Sequence, residues 1–191
     1  MGFLGDEGRD VLIVKRMIVD HEFTLLGPIT SVGLMHLGPI YYYFMAPFLW
    51  LTHLDPVGPA IMVALFSLAT VALIWKIGEE FFGLRTAVIA SVLYSLSPLV
   101  IIQSHSSWNP NILPFWSLLT IYGLLQTTVK GIYKWLVVVG AAIGVAIQLH
   151  YVALVLLPIV LTVLAVTRTK IRFKYYLGSL VGLAVTYSPF I

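Results

Sequence analysis

The chain has 191 residues, of which 60% are hydrophobic and 10% are charged, and its mean hydropathy is +0.98. A soluble domain has about 45–50% apolar and about 25% charged residues, so the composition predicts an integral membrane protein. The formal charge of +3 does not indicate a nucleic-acid partner, because most basic residues lie in short loops between apolar segments, and the absence of cysteine excludes disulfides and thiolate sites.

The N-terminal segment holds five of the eight acidic residues, all between Asp6 and Glu22. From Asp6 to about Phe23, the alternation of apolar and polar residues predicts an amphipathic helix, and its charge suits the membrane interface better than a span. No cleavable signal peptide is visible, because acids rather than basic residues precede the first apolar run. Since this polar segment begins without a preceding span and the chain stops inside an apolar segment, we expect a fragment that is inactive by itself.

Residues 24–37 contain Gly27-Pro28 and are predicted to form a loop. Residues 38–53 are apolar but number only 16, and they carry Tyr41 to Tyr43 and Pro47. Aromatic side chains with polar tips prefer the headgroup level, so we predict an interfacial or partly inserted helix. These segments form the first predicted unit, residues 1–54, on the outer face.

Residues 55–191 are predicted to form a membrane-spanning helical core. Spans are expected at about residues 57–78, 86–103 and 110–128, and the last begins near Lys174. Between them, one helix through the 35-residue apolar run 133–167 would be about 52 Å long, against a hydrocarbon core of about 30 Å. The run must therefore turn, and the polar sequence 148–151 is the candidate place. The prediction is an all-α, polytopic membrane protein with about six spans.

The basic residues of the core fall in alternate loops, which the positive-inside rule places in the cytoplasm. The loops at 105–111 and 148–151 contain no lysine or arginine and are predicted to face outward. If residues 38–53 do not span, the acidic segment lies on the same outer side and three polar clusters converge there. If they do span, the shared site disappears. The basic residues in question are Lys76, Arg85, Lys130, Lys134, Arg168, Lys170, Arg172 and Lys174.

The sequence Asp6-Glu7-Gly8-Arg9-Asp10 is the first candidate site. On a helix, Asp6, Arg9 and Asp10 share a face through i,i+3 and i,i+4 spacing. A carboxylate beside an arginine at a membrane surface is suited to act as a general base beside a phosphate clamp. The structural alternative is that Asp6 caps the helix and Arg9 pairs with it. The residues alone leave both interpretations open.

The second candidate is the outer loop that contains His105, Asn109 and Asn111, where the two asparagines flank Pro110 at the mouth of a span. The structural alternative is a turn that starts the next helix, because Asn-Pro is a common helix-entry signal.

The third candidate is the turn with Gln148 and His150, for which a satisfied interfacial histidine is the structural alternative. The remaining histidines show no metal-ligand spacing, and no nucleotide-binding, nucleophile-elbow or zinc-protease motif is present. The pair Glu79-Glu80 is expected to be solvated.

The order of these features resembles the membrane core of polyprenyl-phosphate-sugar-dependent glycosyltransferases of the GT-C fold. It is closest to glycosyltransferase family 39, the protein O-mannosyltransferase and lipid A aminoarabinose transferase group. The resemblance covers essentially the whole chain and rests on three motifs: the Asp-Glu pair with an arginine three residues after the aspartate, the proline-aromatic segment 38–43, and the polar residue before Pro110.

Three departures from the family pattern matter. Asn109 replaces an aspartate, Leu37-Gly38 replaces a Glu-Lys pair that would supply a metal ligand and a cation, and His150 stands where the aminoarabinose branch has a lysine. A divalent metal is therefore left open, and no cofactor is specified.

The resemblance implies a hexosyl or pentosyl transferase in the cell membrane. It would move a sugar, with inversion, from a polyprenyl-phosphate donor to a lipid or protein acceptor on the outer face. It implies Asp6 and Glu7 as catalytic residues, with Asp6 as the base, and Arg9 as the phosphate partner. Further substrate contacts are expected from His105, Asn109, Asn111, Gln148 and His150. The alternative from another class is a non-catalytic membrane subunit or a transporter fragment. A transporter is less well supported, because the spans contain no internal charge and no convincing repeat.

Overall fold

The computed structural model describes residues 5–30 and 35–188. Within these residues the regular elements are helical, apart from an isolated antiparallel bridge between Ile29 and His36. The predicted all-α class is therefore confirmed. The α-helices are α1 Gly5–Val19, α2 Ile40–Leu51, α3 Val57–Phe82, α4 Leu84–Ser95, α5 Pro98–Gln103, α6 Leu113–Thr128, α7 Trp135–Leu149, α8 Leu156–Thr167 and α9 Phe173–Tyr187, and short 3₁₀ helices cover Asn109–Ile112 and Tyr151–Val155.

The predicted amphipathic helix is confirmed as α1, which buries Val11, Val14 and Met17. It ends at Val19, four residues earlier than predicted, because the backbone of His21 is left-handed (φ 56°). Past this residue the Glu22 N–H donates back to the Arg16 carbonyl (3.4 Å), which turns the chain away from the helix axis. The helix start at Gly5 places Asp6 in the first turn rather than at the N-cap position.

Helix α2 is 12 residues long, which corresponds to about 18 Å and is too short for a hydrocarbon core of about 30 Å. Its buried side, which includes Tyr42 and Met45, packs in one cluster with Val14 of α1 and Met62 of α3. After α2, the consecutive left-handed residues His53 and Leu54 turn the chain into α3. These features agree with an interfacial helix, and the prediction that this segment does not span remains a prediction.

Helix α3, with 26 residues, is the one helix in the described part of the chain that is long and apolar enough to cross a membrane by itself. The other predicted spans are apolar but shorter or interrupted. Helices α4 and α5 are separated at Leu96 and Ser97, and α7 is separated from the helical segment after it by the extended residue His150. The predicted turn within residues 148–151 is therefore confirmed, while the number of membrane crossings remains a prediction.

Helices α7 and α9 pack in parallel along glycines spaced four residues apart. Gly140 lies so close to the Ser179 carbonyl, and Gly144 to the Leu183 carbonyl, that a Cβ at either glycine would overlap the other backbone. The contact advances along both helices in the same direction, as in small-xxx-small interfaces of membrane helices. The loops that precede α7 and α9 therefore lie at the same end of the bundle.

At that end, the expectation that Glu80 is merely solvated is wrong. Its carboxylate accepts hydrogen bonds from Gln126 Nε2 (2.7 Å) and the Tyr122 hydroxyl (3.1 Å), and Lys130 Nζ lies 3.9 Å away. Glu79 accepts a bond from Trp75 on its own helix. Because its three partners belong to α6 and the loop after it, Glu80 links α3 to α6.

Candidate functional site

The three polar segments singled out in the sequence meet at the other end of the bundle. The Ser106 hydroxyl, in the loop between α5 and α6, donates to the Glu7 carboxylate on α1. In the same loop, Asn109 Nδ2 donates to the carbonyl of Leu149 at the end of α7 (2.6 Å). The Tyr151 hydroxyl then donates to the His36 carbonyl (2.5 Å), which closes the arrangement. Contacts between residues 40 to 115 positions apart thus build one polar region.

An open cavity of about 490 Å³ lies between these segments. In the described part of the chain its wall contains the carboxylate of Asp6 but no lysine or arginine. The lining residues are Asp6, Ile29, Thr30, Met35, Leu37, Trp108, Asn109, Pro110, His150 and Tyr151. Three of the residues proposed from the sequence, Asp6, Asn109 and His150, therefore share this cavity.

Arg9 lies between an exposed and a buried carboxylate on α1. Its Nη1 is 3.0 Å from Asp6 Oδ1, and its Nε and Nη2 are each 3.0 Å from Asp10 Oδ1. The Tyr42 hydroxyl of α2 donates to the same Asp10 oxygen (3.1 Å). The side chain of Asp6 is 60% exposed, whereas that of Asp10 is 1% exposed. The arginine thus ties the cavity carboxylate to the protein interior.

Asp10 is a buried acid of the first candidate site to which the sequence assigned no role of its own. Burial raises the pKa of Asp10 above its ordinary value of 3.8, and the bonds from Arg9 and Tyr42, which stabilise the carboxylate, offset this only in part. Its Oδ2 atom has no hydrogen-bond partner among the described residues. Burial and then the charge of Asp10 raise the pKa values of both Tyr41 and Tyr42, so these phenols remain neutral at physiological pH. The shared helix face was visible in the sequence, but the burial was not.

Glu7 lies away from the cavity wall. It is 7% exposed, is bonded to Ser106, and contributes negative charge near Tyr41. The bond from Ser106 links α1 to the loop between α5 and α6.

The two asparagines of the outer loop differ in position. Asn109 is 5% exposed, lines the cavity and is fixed to Leu149. Asn111 does not line it, and its Nδ2 donates to the carbonyls of Gln103 and Ser106 (both 2.9 Å), which shapes the loop. Trp108, which the sequence analysis did not propose, lies in the cavity wall beside Asn109.

Gln148 is 1% exposed and fastens three elements rather than lining the cavity. Its Oε1 accepts the Ile40 N–H at the start of α2 (3.2 Å), and its Nε2 donates to the Thr186 carbonyl of α9. A Cβ at Gly38 would overlap the Gln148 side chain. This close approach gives a physical reason for glycine at one of the positions where the sequence departs from the family pattern.

The two predicted histidines separate in space. His150 lines the cavity, and its Nδ1 accepts the Val152 N–H (3.2 Å), so its ring is oriented by the backbone. His105 lies instead beside a different groove between α3 and the α4–α5 segment, and its Nδ1 is 2.7 Å from the Ile101 carbonyl. The structure therefore does not bring His105 to the cavity. Within residues 5–30 and 35–188, no group of three or more His, Asp or Glu side chains is arranged to hold a metal ion.

These features define an all-α protein of apolar helices with a carboxylate-bearing cavity at one end. Residues 36–191 match the family model described as dolichyl-phosphate-mannose-protein mannosyltransferase, and the chain belongs to this family. The resemblance seen in the sequence is thereby confirmed over these residues. Searches among curated proteins and among solved structures found no match.

Family membership implies a glycosyltransferase of membranes that takes its sugar from a lipid phosphate, the family's donor being dolichyl-phosphate mannose. The matched range begins at residue 36, so it includes Asn109 and His150 but not Asp6 or Arg9. Any role for α1 in the reaction therefore rests on its position against the matched region.

Proposed function

We propose that the cavity between α1 and the two outer loops is where a sugar passes from a polyprenyl-phosphate donor to an acceptor hydroxyl on the outer face of the membrane. One observation carries this proposal: the exposed carboxylate of Asp6 shares a cavity wall with Asn109 and His150, which belong to the matched region. A volume of about 490 Å³ is in the range of small-molecule sites, which is about 300–1,000 Å³.

In the proposed reaction, Asp6 takes the proton from the acceptor hydroxyl as the hydroxyl oxygen attacks the anomeric carbon. The bond from that carbon to the phosphate oxygen breaks, and the lipid phosphate leaves with the bonding electron pair. Attack from the face opposite the phosphate inverts the anomeric configuration. Asp6 is suited to this role because it is the acidic residue in the described cavity wall.

Arg9 is proposed to serve the leaving phosphate and the base together. Its guanidinium has five N–H donors in a planar fork. Donors therefore remain after the bond to Asp6 and the bonds to Asp10 have formed. Donation to Asp6 Oδ1 fixes the orientation of the base and places a positive charge next to the cavity. A phosphate that enters the cavity would then meet this charge.

The remaining candidates divide by position. Asn109 and His150 are proposed to contact the donor, because both line the cavity. Glu7, Asn111 and Gln148 are proposed to position the walls through the hydrogen bonds described above. His105 lies beside another groove and has no proposed contact with the donor at the Asp6 cavity.

The test is Asp6→Asn in the complete natural protein. Asparagine keeps the shape and removes the basicity, and general-base catalysis contributes about 10²–10⁴-fold, so transfer from polyprenyl-phosphate mannose should fall at least about 100-fold. The measurement is the release of polyprenyl phosphate in membranes that contain the natural acceptors.

The matched control is Asp20→Asn in the turn just after α1, an exposed carboxylate outside the cavity. It should leave transfer within about twofold of the wild type and should leave the unfolding temperature unchanged, because exposed substitutions have small effects. Near-normal transfer by a folded Asp6→Asn protein would refute the role of Asp6 and would favour a non-catalytic α1.

A further inference from the structure

The end of the bundle opposite the cavity collects positive charge. Eight of the eleven lysines and arginines lie there, with two of the eight acidic residues, which gives this end a formal charge of +6. The remaining residues carry a formal charge of −3. All eight basic residues are exposed: Lys76, Arg85, Lys130, Lys134, Arg168, Lys170, Arg172 and Lys174.

The packing of the helices places these residues together. The parallel contact of α7 with α9 brings residues 130–134 beside residues 168–174, and the rings of Tyr133 and Tyr175 lie 6.1 Å apart. Tyr122 joins this group to α3, since its ring lies 5.0 Å from that of Trp135 and its hydroxyl bonds to Glu80. The basic residues therefore lie on the surface of one end of the bundle.

The loop between α8 and α9 is the most concentrated part of that surface. It holds four cations within seven residues, and none of the four forms an ion pair with a described residue. Lys130, by contrast, lies 3.9 Å from Glu80. Like charges at this spacing repel one another, and negative charge from outside the chain would relieve the repulsion. The four residues, hereafter the 168–174 cluster, are Arg168, Lys170, Arg172 and Lys174.

Exposed aromatic side chains surround the same end. Trp75 and Phe82 of α3 are 39% and 63% exposed, and Phe173 and Tyr176 of α9 are 77% and 37% exposed. Lys174 Nζ lies 5.0 Å from the centre of the Tyr175 ring. Aromatic residues and lysines together are typical of the headgroup level of a bilayer. The 168–174 cluster therefore lies beside side chains that suit the headgroup level.

We propose that the 168–174 cluster binds the phosphate headgroups of anionic phospholipids in the leaflet that this end of the protein faces. Orientation of the chain during insertion needs only an excess of basic residues in the loop. The charge of the four cations also complements the negative charge of anionic headgroups. A cluster of four cations flanking an apolar helix is suited to anionic lipid, where each cation near the surface contributes about a fivefold preference.

The experiment uses the complete natural protein purified in neutral detergent and mixed with equal amounts of phosphatidylglycerol and phosphatidylcholine. Native mass spectrometry counts the molecules of each lipid that remain bound. The variant replaces all four residues of the cluster by glutamine. Because lipid binding is measured on folded protein in detergent, any change in insertion orientation does not enter, and the unfolding temperature confirms that the variant is folded.

The wild type should retain phosphatidylglycerol in preference to phosphatidylcholine. The preference of the four-residue variant should be at least about tenfold lower than that of the wild type. The figure is set as a lower bound because salt screens exposed charges. The control is Lys15→Gln with Arg16→Gln, which removes two exposed cations from α1 and should keep the preference. Equal retention of both lipids by the wild type, an unchanged preference in the variant, or an equal loss in the control would each overturn the proposal.

Discussion

At the cavity end of the bundle two carboxylates are buried, Glu7 at 7% and Asp10 at 1% exposure, whereas at the opposite end all eight lysines and arginines are exposed. At the first end, hydroxyl groups of other elements donate to the buried carboxylates, Ser106 to Glu7 and Tyr42 to Asp10. At the second end Glu80 is held by α6 in the same way, but the eight cations are exposed.

The difference shows which end depends on tertiary structure for its chemistry. Burial of a charge is costly unless hydrogen-bond or ionic partners satisfy it. A buried carboxylate therefore depends on the packing that brings its partners to it. Exposed cations have little desolvation cost. They act together, by orienting the chain in the membrane and by attracting anionic lipid. A single substitution should therefore matter more at the cavity end.

The largest expected effect concerns the separation of the two ends by a membrane. Single cysteines placed at His105 and at Thr169, in a chain without cysteine, should react with impermeant reagents from opposite sides. A cysteine at Gly8 should react from the same side as one at His105, because α2 is too short to cross a core of about 30 Å. Labelling of Gly8 and Thr169 from one side would show that α2 crosses the membrane and that the shared cavity is wrong.

The next effect tests the buried carboxylate. Asp10→Ala should lower the free energy of unfolding by about 2–3 kcal/mol, because Arg9 and Tyr42 lose a shared buried partner. Transfer should also fall, by about tenfold, because Arg9 no longer holds Asp6 in place. Thermal unfolding and the rate of transfer measure the two effects.

Asp20→Ala, at an exposed position one residue past the end of α1, is the control for Asp10→Ala and should change stability by less than about 0.5 kcal/mol. If Asp10→Ala proved as mild as this control, Asp10 would not anchor Arg9.

A matched pair of tyrosines separates stability from activity. Tyr42→Phe removes the bond to Asp10, and Tyr122→Phe removes the bond to Glu80, each a hydroxyl-to-carboxylate contact of 3.1 Å. Each should cost about 0.5–1.5 kcal/mol of stability. Only Tyr42→Phe should also lower the rate of transfer. Equal rates in the two variants would mean that the Asp10–Arg9 arrangement is purely structural.

The smallest effect is a dependence of stability on pH. Because burial raises the pKa of Asp10 above 3.8, the folded state binds this proton more tightly than the unfolded state does. The stability that this tighter proton binding contributes is fully present below pH 3.8 and is lost as pH rises through the raised pKa of Asp10. Asp10→Asn should flatten this part of the curve of unfolding temperature against pH. An unchanged slope in that variant would assign the dependence to another group.

The sequence by itself determined the helices and the family. The length of the apolar run 133–167 required a turn, and the polar residues within 148–151 indicated its place. The polar–apolar alternation placed α1, because such signals are read within a few neighbouring residues. The order of motifs along the chain indicated the glycosyltransferase family, which residues 36–191 match.

Only the tertiary structure decided which polar residues share a cavity. His105 and Asn109 are four positions apart, yet only Asn109 faces Asp6, and Gln148 fastens helices while His150 two residues later lines the wall. Burial and partnership depend on contacts between distant residues, such as Ser106 with Glu7, 99 positions apart. Periodicity reports which face of a helix is apolar but not which other helix covers it, so these roles were fixed by packing.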